Sequence, residues 1–231
     1  MSQNPEPSSA RSRPASLRWS TAQTWAAIGA ERAALAADLT GLAAAQWRQP
    51  TLCDRWSVEE VVAHLTAGAS TTGPAWIRSV IAARFDFARH NDARLAEQLG
   101  DTPAETLRRF RAAAGSRRAP FGTPALGWLG ETVIHAHDIR RPLGIDSPTP
   151  VSALTELARF LARTDFTVAS RTTAKGLRLT ATDGPFDTGT GPRVGGTTLA
   201  LTMVLAGRVA FADELAGPGL DTLRAQCLAA T

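Results

Sequence analysis

The chain has 231 residues, 44% hydrophobic and 20% charged, the composition of an ordinary globular protein with room for one large domain or two modest ones. Its formal charge of +4 is spread along the chain, which argues against nucleic acid as a partner, and no apolar run reaches the roughly 20 residues of a membrane span. The sequence pI of about 10.3 reflects a composition with no Tyr, two Cys and a single Lys, Lys175, so little titrates between neutrality and Arg.

The opening stretch, "MSQNPEPSSARSRPAS", has no apolar core after its charges and reads as a disordered tail over residues 1–17 rather than a secretory signal. From Ser20 the pattern turns helical. Trp25, Ile28, Leu35 and Leu39 recur at helical spacing. "QPTLCDRW" is a loop, and "SVEEVVAHL" opens a helix with Ser57 and, three residues later, Glu60, a capping-box signature. A third helix is expected from Ala75 towards Leu99, carrying Trp76, Ile77, Val80, Ile81, Phe85 and Phe87. "DTPAETLRRFRAAA" starts a fourth at Thr102–Pro103, with Pro at the first helical position, and its "RRFR" and the following "SRRAP" read as a solvated face. The last helix of this half begins after "FGTP" and stops at Pro142 and Gly144. These segments predict an antiparallel helical bundle over residues 18–145.

After "GIDSPTP" the character changes. A helix is expected from Val151 to about Ala169, then a strand in "GLRLTAT", where Leu177, Leu179 and Ala181 alternate with polar residues. "DGPFDTGTGPRVGG" is turn chemistry with room for a second short strand. "TTLALTMVLAGRVAFADELAG" and "LDTLRAQCLA" read as helical. Residues 150–231 are therefore expected to form a small α/β domain, and the whole an α+β protein. Cys53 and Cys227, far apart and without an export signal, point to reduced thiols in the cytoplasm.

Chemistry concentrates in "GWLGETVIHAHDIRRPLG". On an α-helix Glu131 and His135 project about 40° apart, one turn from each other, and Asp138 lies about 20° to the other side of Glu131. His137 points about 160° away from His135 and is read as an ordinary neighbour. Two ligands make a weak site, and a catalytic zinc takes three with one position open. The third is expected from a facing helix, where His64 sits among Val61, Val62 and Leu65 and needs a hydrogen-bond partner or a metal. His90, in the polar "FARHNDAR", faces a more solvated stretch and fits less well. Cys53 reads as a structural loop thiol. Against the metal stands the plainer reading of a core histidine and a helix-surface Glu–His pair. No Gly-rich nucleotide loop and no nucleophile motif is present.

Together "PTLCDRWSVEEVVAHL", "ETVIHAHDIRRPLG" and "LTATDGPFDTGTGPRVGGTTLALTMVLAGR" resemble the mycothiol-dependent maleylpyruvate isomerase family, of the DinB-like four-helix-bundle superfamily. The resemblance spans nearly the whole chain after the tail. It implies a DinB-like bundle followed by a sterol-carrier-type α/β domain, with a divalent metal, usually zinc, on His64, Glu131 and His135. It also implies an Arg presented to the cleft, best matched by Arg208, which suits a substrate carboxylate by bidentate pairing. The implied partners are mycothiol or another low-molecular-weight thiol and a small electrophile, in cis–trans isomerisation or S-transfer. The other class of function is a non-catalytic ligand-binding protein with a structural metal. The sequence sets neither the substrate nor the oligomeric state.

Overall fold

The computed structural model describes residues 18–53, 55–119, 123–165 and 168–229; the expected tail lies outside them. Helix α1 (Thr21–Asp38) starts where the Ser20 hydroxyl accepts from the Gln23 N–H at 3.2 Å and the Gln23 side chain accepts from the Ser20 N–H at 2.8 Å, so two donors of the first turn are satisfied at once. A single turn, α2 (Ala44–Trp47), buries Trp47. Helix α3 (Val58–Ser70) begins with the expected Ser57–Glu60 box, the Ser57 N–H donating to the Glu60 carboxylate at 2.8 Å.

The long third helix expected from periodicity is broken. Helices α4 (Gly73–Ala82) and α5 (Phe87–Ala96) are separated by a turn in which Arg84 and Phe85 take φ of 56° and 64°. Asp86 accepts from the Arg89 N–H at 3.0 Å and restarts the helix as its N-cap; a local side chain to backbone bond wins over continued periodicity. In consequence Ile77, Ile81, Phe85 and Phe87 are exposed, and Val80 alone of that apolar run is fully buried.

Helix α6 (Pro103–Ala113) follows its Thr102 cap with Pro at the first position, and α7 (Ala125–Leu143) ends at Gly144 with φ 65°, the left-handed conformation that favours glycine. Helices α1, α3, α6 and α7 pack on one another, and α5 lies against α3. Their core joins Leu35 of α1 and Leu39 at its C-terminal cap, Val61 and Val62 of α3, Phe110 of α6 and Ile139 of α7. Each such side chain contributes about 1.5–3 kcal/mol relative to exposure. Inside this packing Arg140 of α7 pairs with Glu31 and Asp38 of α1, both Arg140 and Glu31 being buried.

The C-terminal part contains α8 (Val151–Leu161), α9 (Ser170–Thr173), β1 (Arg178–Ala181), β2 (Asp187–Thr188), β3 (Arg193–Gly196), α10 (Thr198–Leu205), a 3-10 turn (Val209–Glu214) and α11 (Leu220–Ala229). Helix α8 is shorter than expected, and the turn-rich stretch holds two strands rather than one. The sheet order is β2-β1-β3, with β1 antiparallel to β2 and parallel to β3. Leu177 and Leu179 are buried as the alternation requires. The loop between β2 and β3 needs glycine: a Cβ on Gly189 would lie 2.1 Å from the Leu177 carbonyl oxygen and one on Gly191 2.2 Å from that of Gly176, both at positive φ. The helix expected across Arg208 stops at Leu205, because Gly207 turns the chain at φ 85°, which leaves Arg208 at the start of the 3-10 turn.

The second core joins Ile28 of α1 and Leu129, Val133 and Ile134 of α7 to residues of α8, β1, β3 and α10. Helix α7 is thus buried by two different sets of partners. The fold is α+β: mostly helical with one small sheet. Among the described residues no helix is long and apolar enough to cross a membrane.

Candidate metal centre and cleft

The buried stripe of α3 places His64 against α7, where its Nε2 lies 2.5 Å from the Glu131 Oε1. One turn on, the His135 Nε2 lies 3.5 Å from the same oxygen. The ligand atoms of His64, Glu131 and His135 all fall within 4.8 Å of one another. The Trp56 ring stacks on His64 at 4.6 Å between centroids and is itself fixed by its Nε1 donating to Asp92 at 3.2 Å.

Behind this trio the polar chain continues. The His135 Nδ1 donates to Asp138 Oδ2 at 2.9 Å, and Asp138 is fully buried. Arg208 clasps the same carboxylate with two N–H groups, at 2.9 and 2.6 Å, and spends a third on the Ala206 carbonyl at 2.9 Å. The edge of Arg208 expected to meet a substrate carboxylate is therefore already on Asp138, although Arg208 does line the cleft. Of the cations near Asp138 in sequence, Arg140 pairs with Glu31 and Asp38 and Arg141 with Glu214.

The electrostatics follow from this geometry. Burial would raise the Glu131 pKa, but the charges and hydrogen bonds of His135 and His64 outweigh it and hold the carboxyl well below its usual range. Burial would lower His135, yet Glu131 and Asp138 push it up to about 9 in the ion-free chain. An ionised Glu131 can only accept, so the proton on each facing imidazole nitrogen sits where a cation is favoured. Burial raises Asp138 too, and its bonds to Arg208 and His135 bring it below the ordinary value.

The remaining histidines separate clearly. His137 points away, its Nε2 2.9 Å from the Thr149 hydroxyl, and burial, then Arg140, lowers it to about 4. His90 is not solvated as its polar surroundings suggest: it is buried, 3.0 Å from the Ser79 hydroxyl, and edge-on to Trp76. Cys53 is closer to the chemistry than a structural loop thiol need be. The Leu52 N–H donates to the Asp138 carbonyl at 3.1 Å, tying the loop to α7, and Cys53, His135 and Asp138 form a second group with ligand atoms within 4.8 Å.

The trio opens onto a cleft of about 500 Å³ bounded by α3, α4, α5 and α7 on one side and by Phe160, Thr164, Ser170 and Arg208 on the other. Sequence reasoning missed Trp128, which lines it. The signal was present: Trp128 precedes Glu131 by three residues and so shares its helix face. Gly68 on α3 makes room for that indole, since a Cβ there would lie 2.9 Å from the Trp128 ring.

Fold and site together define a class: an α+β protein whose helical half holds two imidazoles and a carboxylate, a donor set that suits a divalent ion, at the wall of a cleft. Residues 28–125 match the model of the mycothiol maleylpyruvate isomerase N-terminal domain. Two solved structures are similar over 87% of this chain and 93% of theirs. They are the mycothiol-dependent maleylpyruvate isomerase, at 16% identity and a TM-score of 0.56, and a histidine-to-alanine mutant of it, at 14% and 0.59. At these identities the likeness is one of fold. No curated protein matches the chain.

Proposed function

We propose that this protein is a zinc-dependent enzyme that uses mycothiol, or another small thiol, on a small electrophile. In this reading residues 18–145 are a DinB-like four-helix bundle and residues 150–231 a sterol-carrier-type α/β domain. The observation that carries the reading is the trio His64, Glu131 and His135, with ligand atoms within 4.8 Å of one another at the wall of a cleft large enough for a substrate. Two imidazoles and one carboxylate fit zinc and leave room for a fourth ligand. Bound there, the ion would supply Lewis acidity that keeps a thiol deprotonated at neutral pH.

The chain's own residues prepare the site. Asp138 accepts from the His135 Nδ1, which fixes the ring and leaves Nε2 facing the other donors. Arg208 clasps Asp138 in an ionised state and acts here as a positioning residue, in place of the expected substrate clamp. Trp56 covers the His64 ring and keeps water from that side of the cluster.

The test is a turnover assay of zinc-loaded protein with mycothiol and two electrophiles in parallel, a cis-configured maleyl compound and a neutral aryl enone, so that inactivity towards one of them does not decide the outcome. Isomerisation returns the thiol at its starting level; S-transfer consumes one thiol per product. Metal-dependent turnover of either kind supports the reading. Turnover that is absent, or unaffected by chelation, contradicts it.

A further inference from the structure

The cleft also indicates which electrophile it takes, an argument that rests on the cleft being the substrate site of the reaction above. Its walls are aromatic: Trp56, Trp76, Phe87, Trp128 and Phe160 all line it. The described arginines that line it, Arg94 and Arg208, are each paired with an acid at 2.6 Å, Glu97 and Asp138 respectively. With the charge of a bound ion offset by Glu131 and the thiolate, a substrate dianion would find no arginine of its own, at the cost of desolvating two charges against paired arginines.

Three residues of the same walls each carry a buried polar atom that points to what does fit. The Ser170 hydroxyl, on a residue 1% exposed, has no partner among the described residues. Neither do the Trp128 Nε1 and the Arg94 Nε. All three residues line the cleft, and each of these atoms donates a hydrogen bond. Unsatisfied buried donors are rare in folded proteins because each costs about 1–3 kcal/mol. A neutral oxygen acceptor on a bound ligand would relieve that cost without bringing charge into the site. The exposed Phe87 of α5, which lines the cleft, gives the approach an apolar character.

We propose that the substrate is an uncharged aromatic molecule with a conjugated carbonyl group, such as an aryl enone, and not a small dicarboxylate. The ring lies among the tryptophans and phenylalanines, and the carbonyl oxygen accepts from the unpartnered donors. The thiol sulfur adds to the β-carbon, forming one C–S bond as the C=C π bond breaks. The electron pair passes through the carbonyl, and the proton released by the thiol ends on the α-carbon. No oxidant or reductant is consumed.

The test is equilibrium dialysis without thiol, on both zinc-loaded and metal-free protein. Its probes are benzylideneacetone, a neutral aryl enone; cinnamate, the same skeleton with a carboxylate; and maleate. Benzylideneacetone is expected to bind at least about tenfold more tightly than either anion, a difference of about 1.4 kcal/mol. Ser170→Ala, a small change that keeps the fold, should weaken benzylideneacetone binding several-fold; Trp128→Phe, with melting and far-UV circular dichroism as fold controls, should do the same. Cinnamate or maleate binding as tightly as the enone, or enone binding untouched by both substitutions, overturns the proposal. Enone binding retained in a protein without metal-dependent turnover would overturn the catalytic reading and leave the ligand class standing.

Discussion

At the scale of single residues, the chemistry depends on how firmly His135 is held. Its Nδ1 is bonded to Asp138, which two N–H groups of Arg208 clasp from the other side. An Asp138→Asn variant should keep its helices but lose about 10–100-fold in metal affinity, the effect typical of removing a carboxylate behind a metal-bound histidine. Competition with a chromophoric chelator would show it, and unchanged affinity would remove Asp138 from the account. The common face of Glu131, His135 and Asp138 was legible from sequence because 3.6 residues per turn fixes it, but which group Asp138 would bind was not. His64 was legible because an imidazole in the buried stripe of α3 needs a partner. Neither rule reaches Cys53 or the true setting of His90: a loop's position depends on one long-range bond, from Leu52 to Asp138, and the polar neighbours of His90 conceal that its own side of α5 is buried.

At the scale of elements, α7 is decisive because it belongs to both cores, with Leu129 and Val133 in one and Ala136 and Ile139 in the other. Its contact with α1 contains the buried Arg140–Glu31–Asp38 network, invisible in sequence because isolated charges on a helix normally read as solvated. Arg140→Met should destabilise the fold by about 3 kcal/mol, since it leaves buried acids without a counter-charge; urea unfolding measures it, and a neutral result would mean that water reaches Glu31. His137 gives α7 a pH dependence. Its pKa is lowered from 6.5 to about 4 by burial, so between these values the unfolded chain binds a proton that the native chain does not. Stability is therefore fully present above about pH 6.5 and falls with acid towards pH 4, by up to about 3 kcal/mol. Thermal melts from pH 7 to 4.5 should show a slope that shrinks in His137→Gln; identical slopes would assign the acid sensitivity to other groups. The break between α4 and α5 was missed because Asp86 as a cap carries little weight beside a long apolar run, although the capped helices α3 and α6 were read correctly by the same chemistry.

At the scale of the whole molecule, the change of character after Gly144 was readable, but not how closely the C-terminal part would join the bundle. Ile28, Leu129, Val133 and Ile134 from the helical half are buried together with Leu157, Leu201 and Val204, so neither half completes its core alone. Calorimetry should accordingly show one cooperative transition for the full chain; two separated transitions would mean that the halves fold independently. The same joining builds the cleft, whose walls come from α3, α4, α5 and α7 and from the C-terminal Phe160, Ser170 and Arg208.

In the proposed function His64, Glu131 and His135 hold a divalent ion, and every other role at the site depends on it. Elemental analysis of untagged, desalted protein, beside the His64→Ala and His135→Ala variants, tests it most directly. The expected result is about one zinc per chain, lost in both variants while the far-UV circular dichroism is largely retained. Metal content unchanged in both variants, or no metal bound by the parent protein even after loading with zinc, would contradict it.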